Sequence, residues 1–247
     1  MKTIIKVIKI LNFLTEKPLE AKEITKMLGI HPSSTSRYLK ILREEKIIRV
    51  NSNRKYEIGY GLFDIVNKSI KKLEINEIAK PYLEDLNKIT GETVHLGVLD
   101  GQEVVYLNKI ECNHPIRMYS RIGKRVKAHC TSLGKILLAH LTEKELEQTL
   151  EEIDFKKYTK NTIVKKSVLK KELSRIKETG IAFDNEEHEE DIVCMAAPIF
   201  NFHKKVIASI SISATTKYMS LDQLRKYEKN LKAICNEISK TLGFGGL

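Results

Sequence analysis

Residues 19–59 read LEAKEITKMLGIHPSSTSRYLKILREEKIIRVNSNRKYEIG, and no other stretch of the chain carries so clear a signal. Leu19, Ile24, Met27 and Leu28 recur at helical spacing, Gly29 supplies a turn residue tolerant of positive φ, and Pro32 stands where a second helix begins. That second helix has two faces. Thr35, Leu39 and Leu42 fall three and four residues apart and point inward, whereas Ser33, Ser34, Ser36, Arg37 and Lys40 occupy the early turns and the other side. Small hydroxyls near a helix N-terminus let backbone N–H groups approach phosphates, and a forked Arg pairs bidentately with guanine or phosphate. Two short strands follow, 47–50 and 55–58, joined by Asn51-Ser52-Asn53-Arg54, so that Arg54 and Lys55 project toward a nucleic-acid backbone or minor groove. Helix, turn, helix and basic hairpin in that order spell a winged helix-turn-helix, whose polar helix face suits the major groove of double-stranded DNA.

Charge is distributed to match. Residues 1–76 carry 16 Lys and Arg against eight Asp and Glu, a net of +8, while the remainder of the 247 residues carries 27 against 24, a net of +3. Such an excess neutralises phosphates, and by itself it would also suit an acidic membrane surface. Lys2, Lys6 and Lys9 interrupt the apolar residues of 1–15 and no small-residue cleavage site follows, so the segment reads as an amphipathic first helix with Ile4, Ile8 and Leu11 inward rather than as a signal peptide. The run 206–214 contains three Ser and is too short to span a bilayer. The expectation is a soluble, cytoplasmic protein without membrane partners. Cys112, Cys130, Cys194 and Cys235 form no close pair, which excludes a zinc-ribbon spacing and a redox dithiol and leaves reduced thiols as the default.

After the wing, Gly59 and Gly61 bracket a change of pattern, and apolar residues recur at helical spacing over 62–73. This linker helix has a charged face and an apolar stripe that fits a second copy or its own domain equally well. Beyond it the pattern becomes mixed. A helix is predicted over 78–89, ended by Thr90-Gly91, and then a β-hairpin over 92–99 and 104–110 turning at Asp100-Gly101. Further strands are predicted at 116–119, 192–200 and 206–212, and helices at 132–141, 143–152, 166–179 and 220–242. An antiparallel sheet flanked by helices accommodates this order, giving an α+β class.

Several ordered segments carry a family likeness: Gly91-Glu92-Thr93-Val94, Val104-Val105-Tyr106-Leu107, Ser120-Arg121-Ile122-Gly123, Leu133-Gly134-Lys135-Ile136-Leu137-Leu138-Ala139, Asn161-Thr162-Ile163, Glu186-Glu187, Cys194-Met195-Ala196-Ala197-Pro198-Ile199-Phe200 and Ser209-Ile210-Ser211-Ile212-Ser213. With them the chain resembles the IclR (isocitrate lyase regulator) family of transcriptional regulators over nearly its whole length. The resemblance implies a winged helix-turn-helix over 1–60, a linker helix over 61–75, and a GAF-like effector-binding and oligomerisation domain over 76–247. It places the effector pocket at Met118, Ser132, Leu133, Asp184, Cys194, Ser211 and Ser213. The chemistry fits independently, since hydroxyls at alternate strand positions Ser211 and Ser213 share a face, and N–H groups at the start of the Ser132 helix favour an anion such as a small carboxylate. Ser132 and Leu133 stand where some members have smaller residues, a departure that narrows the expected cavity. Thr35 and Tyr38 replace the usual aliphatics, and Lys46 stands where Gly is common.

Other chemistries are weaker. Gly134-Lys135 lacks the flanking Gly and the following hydroxyl of a phosphate loop, having His129 and Ile136 there instead. Cys130 and Ser132 beside His129 suggest a nucleophile, but adjacent side chains on an extended segment point apart and no orienting acid is identifiable. His129, Cys130, Asp184, His188 and Cys194 offer metal-type ligands, too dispersed in sequence to count as a site. The acidic run 186–191 reads as a solvated loop. The reading is therefore a non-enzymatic regulator without cofactor or metal, partnered by operator DNA and a small effector, as a homodimer or homotetramer; a metal sensor or enzyme domain fused to a DNA-binding module is the alternative.

Overall fold

The computed structural model of the protein describes residues 2–71, 74–115 and 118–246, with side chains outside Lys2, 66–71 and Glu74. It divides into two compact units, Met1–Leu73 and Glu74–Leu247.

The first unit holds α1 (Lys2–Glu16), α2 (Ala21–Leu28), α3 (Pro32–Glu44), the hairpin β1 (Ile48–Val50) and β2 (Tyr56–Ile58), and α4 (Tyr60–Lys71). Gly29 ends α2 in the left-handed region at φ 62°, and Pro32 opens α3 behind His31, whose Nδ1 accepts the Ser33 N–H. Ile24, Leu39, Leu42 and Ile48 form the core with Ile10 and Leu14 of α1. Three expectations need correction. Leu19 lies outside α2, because Glu20 caps that helix in extended conformation; Leu19 instead exchanges both backbone hydrogen bonds with Tyr56 and lengthens the wing. Met27 is exposed. In α1 the inward stripe is buried Ile10 and Leu14 with half-buried Val7 and Leu11, spaced i, i+3, i+4 and i+7 from Val7, while Ile4 and Ile8 stand outward. Lys46 holds φ 58° where the chain turns into the wing, and a Cβ on Gly59 would lie 2.3 Å from the Lys46 carbonyl oxygen, so the wing closes only over a glycine.

The second unit runs α5 (Glu74–Thr90), β3 (Thr93–Asp100), β4 (Glu103–Ile110), β5 (Arg125–Lys127), a 3₁₀ turn (Ala128–Cys130), α6 (Ser132–Ala139), α7 (Glu143–Glu152), α8 (Lys166–Thr179), β6 (Ala182–Asn185), β7 (Ile192–Phe200), β8 (Val206–Thr215), α9 (Leu221–Arg225) and α10 (Glu228–Thr241). Six antiparallel strands lie in the order β5-β4-β3-β8-β7-β6. Strand alternation gives the sheet two unlike faces. On one, Val94, Leu96, Met195, Ile210 and Ile212 pack against Leu83 and Leu86 of α5 and Leu231 and Ile238 of α10. Each such fully buried side chain contributes about 1.5–3 kcal/mol. The other face carries Thr93, His95, Cys194, Ser211 and Ser213, with Ala182 and Ala196 beneath α6 and its neighbours Leu150, Leu169 and Leu173. These small side chains let α6 come close. A Cβ on Gly134 would sit 2.3 Å from the Ala128 backbone, so that glycine serves helix packing rather than a phosphate.

The predicted α+β architecture is observed. Of the predicted strand at 116–119, Ile116 and Arg117 lie outside the described residues, and Met118 and Tyr119 are not in a strand. The helix predicted over 220–242 is two, α9 and α10, because Tyr227 leaves helical dihedrals at φ −90°, ψ 4°. The predicted linker helix is α4, which begins two residues earlier, and Leu73 lies outside the described residues. Strands β5 and β6 are two that the sequence pattern does not predict. Both are short, and β6 opens on small Ala182.

Candidate functional site

In the first unit the polar face of α3 is open. Ser33, Ser36, Arg37, Lys40 and the wing-tip Arg54 are exposed, and Ser34 and Lys55 are half-buried. Thr35, Leu39 and Leu42 are buried as expected, joined by Tyr38. The wing turn is tied by Asn51, whose Oδ1 accepts the N–H groups of Asn53 and Lys55 and leaves Arg54 at φ 58° on its tip. Arg49 is engaged elsewhere, with Glu57 at 2.7 Å and against the Tyr60 ring at 4.7 Å.

In the second unit a cavity of about 650 Å³ opens on the polar face of the sheet, and Met118, Ser132, Leu133, Asp184, Cys194, Ser211 and Ser213 all line it. The sheet register explains the convergence: Ser213 stands opposite Cys194, and Cys194 opposite Asp184, in one row across β8, β7 and β6. Ser211 lies in the next row, opposite His95 of β3. Thr131 caps α6 by accepting the Gly134 N–H, so Ser132 and Leu133 bring the start of that helix to the wall. Their side chains leave room, for the volume is within the usual range of small-molecule sites.

His95, Tyr106 and Lys109 complete this end. The His95 Nε2 lies 2.8 Å from Ser120 Oγ, its Nδ1 is 3.4 Å from Ser213 Oγ, and its ring stacks on Tyr106 at 4.5 Å. Burial, with Lys109 and Lys124 nearby, lowers His95 to about 3, which keeps the imidazole neutral. Lys109 donates to the carbonyls of Met118 and Ser120 at 2.9 and 2.8 Å and so fixes the segment that supplies both. At the other end His114 meets Glu92 at 3.0 Å and stacks on Tyr218.

The family model described as bacterial transcriptional regulator IclR C-terminal matches residues 67–240. The chain belongs to the IclR family of transcriptional regulators. A second model, the bacterial regulatory protein, arsR family, matches the helix-turn-helix at 6–50. The IclR relatives include the Escherichia coli regulator XynR, 35% identical over 96% of this chain and 95% of that protein, and E. coli KdgR, 32% identical over 98% and 93%. Among solved structures, the Thermotoga maritima IclR superposes with a TM-score of 0.86 at 36% identity, covering 99% of this chain and all of that one. An IclR homolog from Microbacterium hydrocarbonoxydans, complexed with 4-hydroxybenzoate, has the same fold, with a TM-score of 0.83 at 18% identity, covering 97% of this chain and 99% of that one.

Behind the cavity of this IclR protein lies a buried ion pair. Lys135 is 1% exposed and its Nζ meets Glu187 Oε1 at 2.5 Å, while Glu187, itself 7% exposed, keeps Oε2 without a hydrogen-bond partner. The run 186–191 is therefore not a wholly solvated loop. Thr159 and Thr162 donate to its carbonyls, the Glu187 N–H donates to Asp184 Oδ1 at 2.7 Å, and His188, Glu189 and Asp191 line the cavity. Burial and the neighbouring Glu187 charge push Asp184 up to about 7, and burial raises the Cys194 thiol. His129 and Cys130 sit on a 3₁₀ turn rather than an extended segment, with Cys130 Sγ 3.6 Å from His188 Nδ1. Among the described residues no three His, Cys, Asp or Glu groups are placed to hold a metal ion. His95 was legible in principle, for it alternates with Val94 and Leu96; Lys135–Glu187, 52 residues apart in sequence, left no local signal.

Proposed function

We propose that this regulator reads operator DNA with Ser33, Ser34, Ser36, Arg37 and Lys40 of α3, steadies itself on the phosphate backbone with Arg54 and Lys55, and releases or tightens that grip when a small carboxylate occupies the cavity of its second unit. The observation that supports the effector reading is the convergence of Met118, Ser132, Leu133, Asp184, Cys194, Ser211 and Ser213 on one cavity, with buried hydroxyls and a helix start on its wall. The mechanism is linkage. A ligand that prefers one arrangement of two winged helices shifts DNA affinity by its differential affinity for the two arrangements.

The working form is a homodimer or homotetramer in the cytoplasm, with domains over 1–60, 61–75 and 76–247. One recognition helix covers too few base pairs for useful specificity, and α4, with Leu62 half-buried and Ile65 exposed, has an apolar face fit for a second copy. Ile70, on the same apolar stripe in sequence, lies outside the described side chains. No described helix is long and apolar enough to cross a membrane. The protein carries out no turnover. The Ser120–His95 pair has the spacing of a nucleophile and its base, yet an imidazole lowered to about 3 accepts a serine proton poorly. The test is the Ser211→Ala/Ser213→Ala double variant, expected to bind operator as the parent does while its response to effector moves to higher concentration. Unaltered effector response would refute the site.

A further inference from the structure

The charges around Asp184 constrain what the cavity accepts. Asp184 lines the cavity at 2% exposure, held at the wall by the Glu187 N–H. From α6 the facing cation is Lys135, already engaged by Glu187 at 2.5 Å. Two buried carboxylates thus share one ammonium. The remaining neighbours add no positive charge: β7 brings the Cys194 thiol, β4 the Tyr106 phenol and the 3₁₀ turn the Cys130 thiol, all held protonated by burial. His95 of β3 is neutral, burial lowers His188 of the loop toward its neutral form, and Glu189 of the same loop is a further acid on the wall. The lysines on the cavity wall itself are Lys124, donating to the Tyr119 carbonyl at 2.6 Å, and Lys217, and Asp191 and Glu92 are further acids there.

We propose that the cavity binds a small carboxylate together with one proton, which resides on Asp184 and makes it the group that selects anions. An anion placed against an ionised Asp184 would add a third negative charge to the buried pair Asp184 and Glu187, for which Lys135 is the buried ammonium. With the proton in place, the Asp184 O–H donates to the ligand carboxylate in a charge-assisted hydrogen bond, and repulsion becomes attraction. The proton comes from solvent, the ligand stays ionised, and no other bond forms or breaks. Because burial and Glu187 push this carboxyl up to about 7, the proton is at hand near neutral pH. A neutral ligand gains only an ordinary hydrogen bond from the same O–H, and a cation loses its attraction to the carboxylate, so the protonated group favours anions. The inference rests on the effector reading of the cavity.

Isothermal titration calorimetry on the full chain tests it, with 4-hydroxybenzoate, lactate and pyruvate as probes, in phosphate and in imidazole buffer at pH 6 and 8. The difference in heat between buffers counts protons. Uptake should rise from about 0.1 proton per ligand at pH 6 to about 0.9 at pH 8, and affinity should fall about tenfold over the same interval. Asp184→Asn should abolish both dependences and bind at pH 8 as the parent does at pH 6. The two-buffer comparison on the parent needs no variant, so it stands even where Asp184→Asn folds poorly. Saturable binding with no proton uptake at pH 8 would overturn the inference and leave the effector reading intact. No saturable binding of any of the three probes to either protein at pH 6 would overturn that reading, and the inference with it.

Discussion

Replacing Lys135 by Met should cost the second unit about 3–5 kcal/mol at pH 7.5, the expected result of stripping one partner from a buried ion pair. The magnitude follows from the surroundings. Glu187 keeps its desolvation, its Oε2 has no other partner to fall back on, and Asp184 stands one hydrogen bond away, so nothing offsets the missing ammonium. Met itself fits the space without strain, so packing contributes little to the loss. Replacing both partners, Lys135→Met with Glu187→Leu, should return to within about 1 kcal/mol of the parent, because a buried pair exchanged for apolar groups is often neutral. A pH signature accompanies the single variant. Burial already raises Glu187 above its usual range and Lys135 opposes that rise, so without Lys135 it goes higher still. Below about pH 4.5 folded and unfolded chains both hold the proton; above it the unfolded chain releases first, and stability falls as pH rises. The deficit should therefore widen between pH 5 and pH 8. The chain has no Trp, so urea unfolding followed by far-ultraviolet circular dichroism at several pH values is the appropriate assay. A loss below 1 kcal/mol at pH 7.5, or a double variant no more stable than the single one, would refute the reasoning.

Other outcomes test separate parts of the molecule. Arg37→Ala should weaken operator binding by about 1–3 kcal/mol and relax sequence preference, whereas Arg54→Ala and Lys55→Ala should weaken binding to all sequences and flatten its salt dependence; titrations at several salt concentrations separate the two behaviours. Gly134→Ala should cost about 2–3 kcal/mol or more in urea unfolding, since both the Ala128 Cα and its carbonyl block the added Cβ. Lys46→Gly should stabilise the first unit by about 0.5–1 kcal/mol in thermal unfolding by relieving φ 58°, and a loss would show that the left-handed turn is not strained. Asp184→Asn should remove a fall in stability of about 1.4 kcal/mol per pH unit between about pH 4 and 7, the interval in which the unfolded chain has lost this proton and the folded chain has not.

The helix-turn-helix was legible because its signals are local: Gly29, Pro32 and the spacing of Thr35, Leu39 and Leu42 each act within a turn or two. In α1 the same periodicity misled at two of three positions, since Ile4 and Ile8 continue a helical stripe through Leu11 as well as Val7, Ile10 and Leu14 do, and only tertiary packing turns Leu11 inward and leaves Ile4 and Ile8 outside. The cavity residues entered through family resemblance. Sheet register, which sets Asp184, Cys194 and Ser213 side by side, is a property of three strands at once. The same holds for Lys135, whose partner lies on a loop that composition marks only as acidic and exposed.

Strand β8 reads as two messages interleaved letter by letter: Ile210, Ile212 and Ala214 address the helices behind the sheet, and Ser211 and Ser213 address the cavity. Each message can be edited without touching the other, so a lineage can try new ligands at 211 and 213 while the scaffold stays spelled as before. A frame slip of one residue would corrupt both at once, sending isoleucines into the cavity and hydroxyls into the apolar layer. Point change is therefore the grammar by which this sheet acquires new effectors, and insertion is the error it cannot absorb.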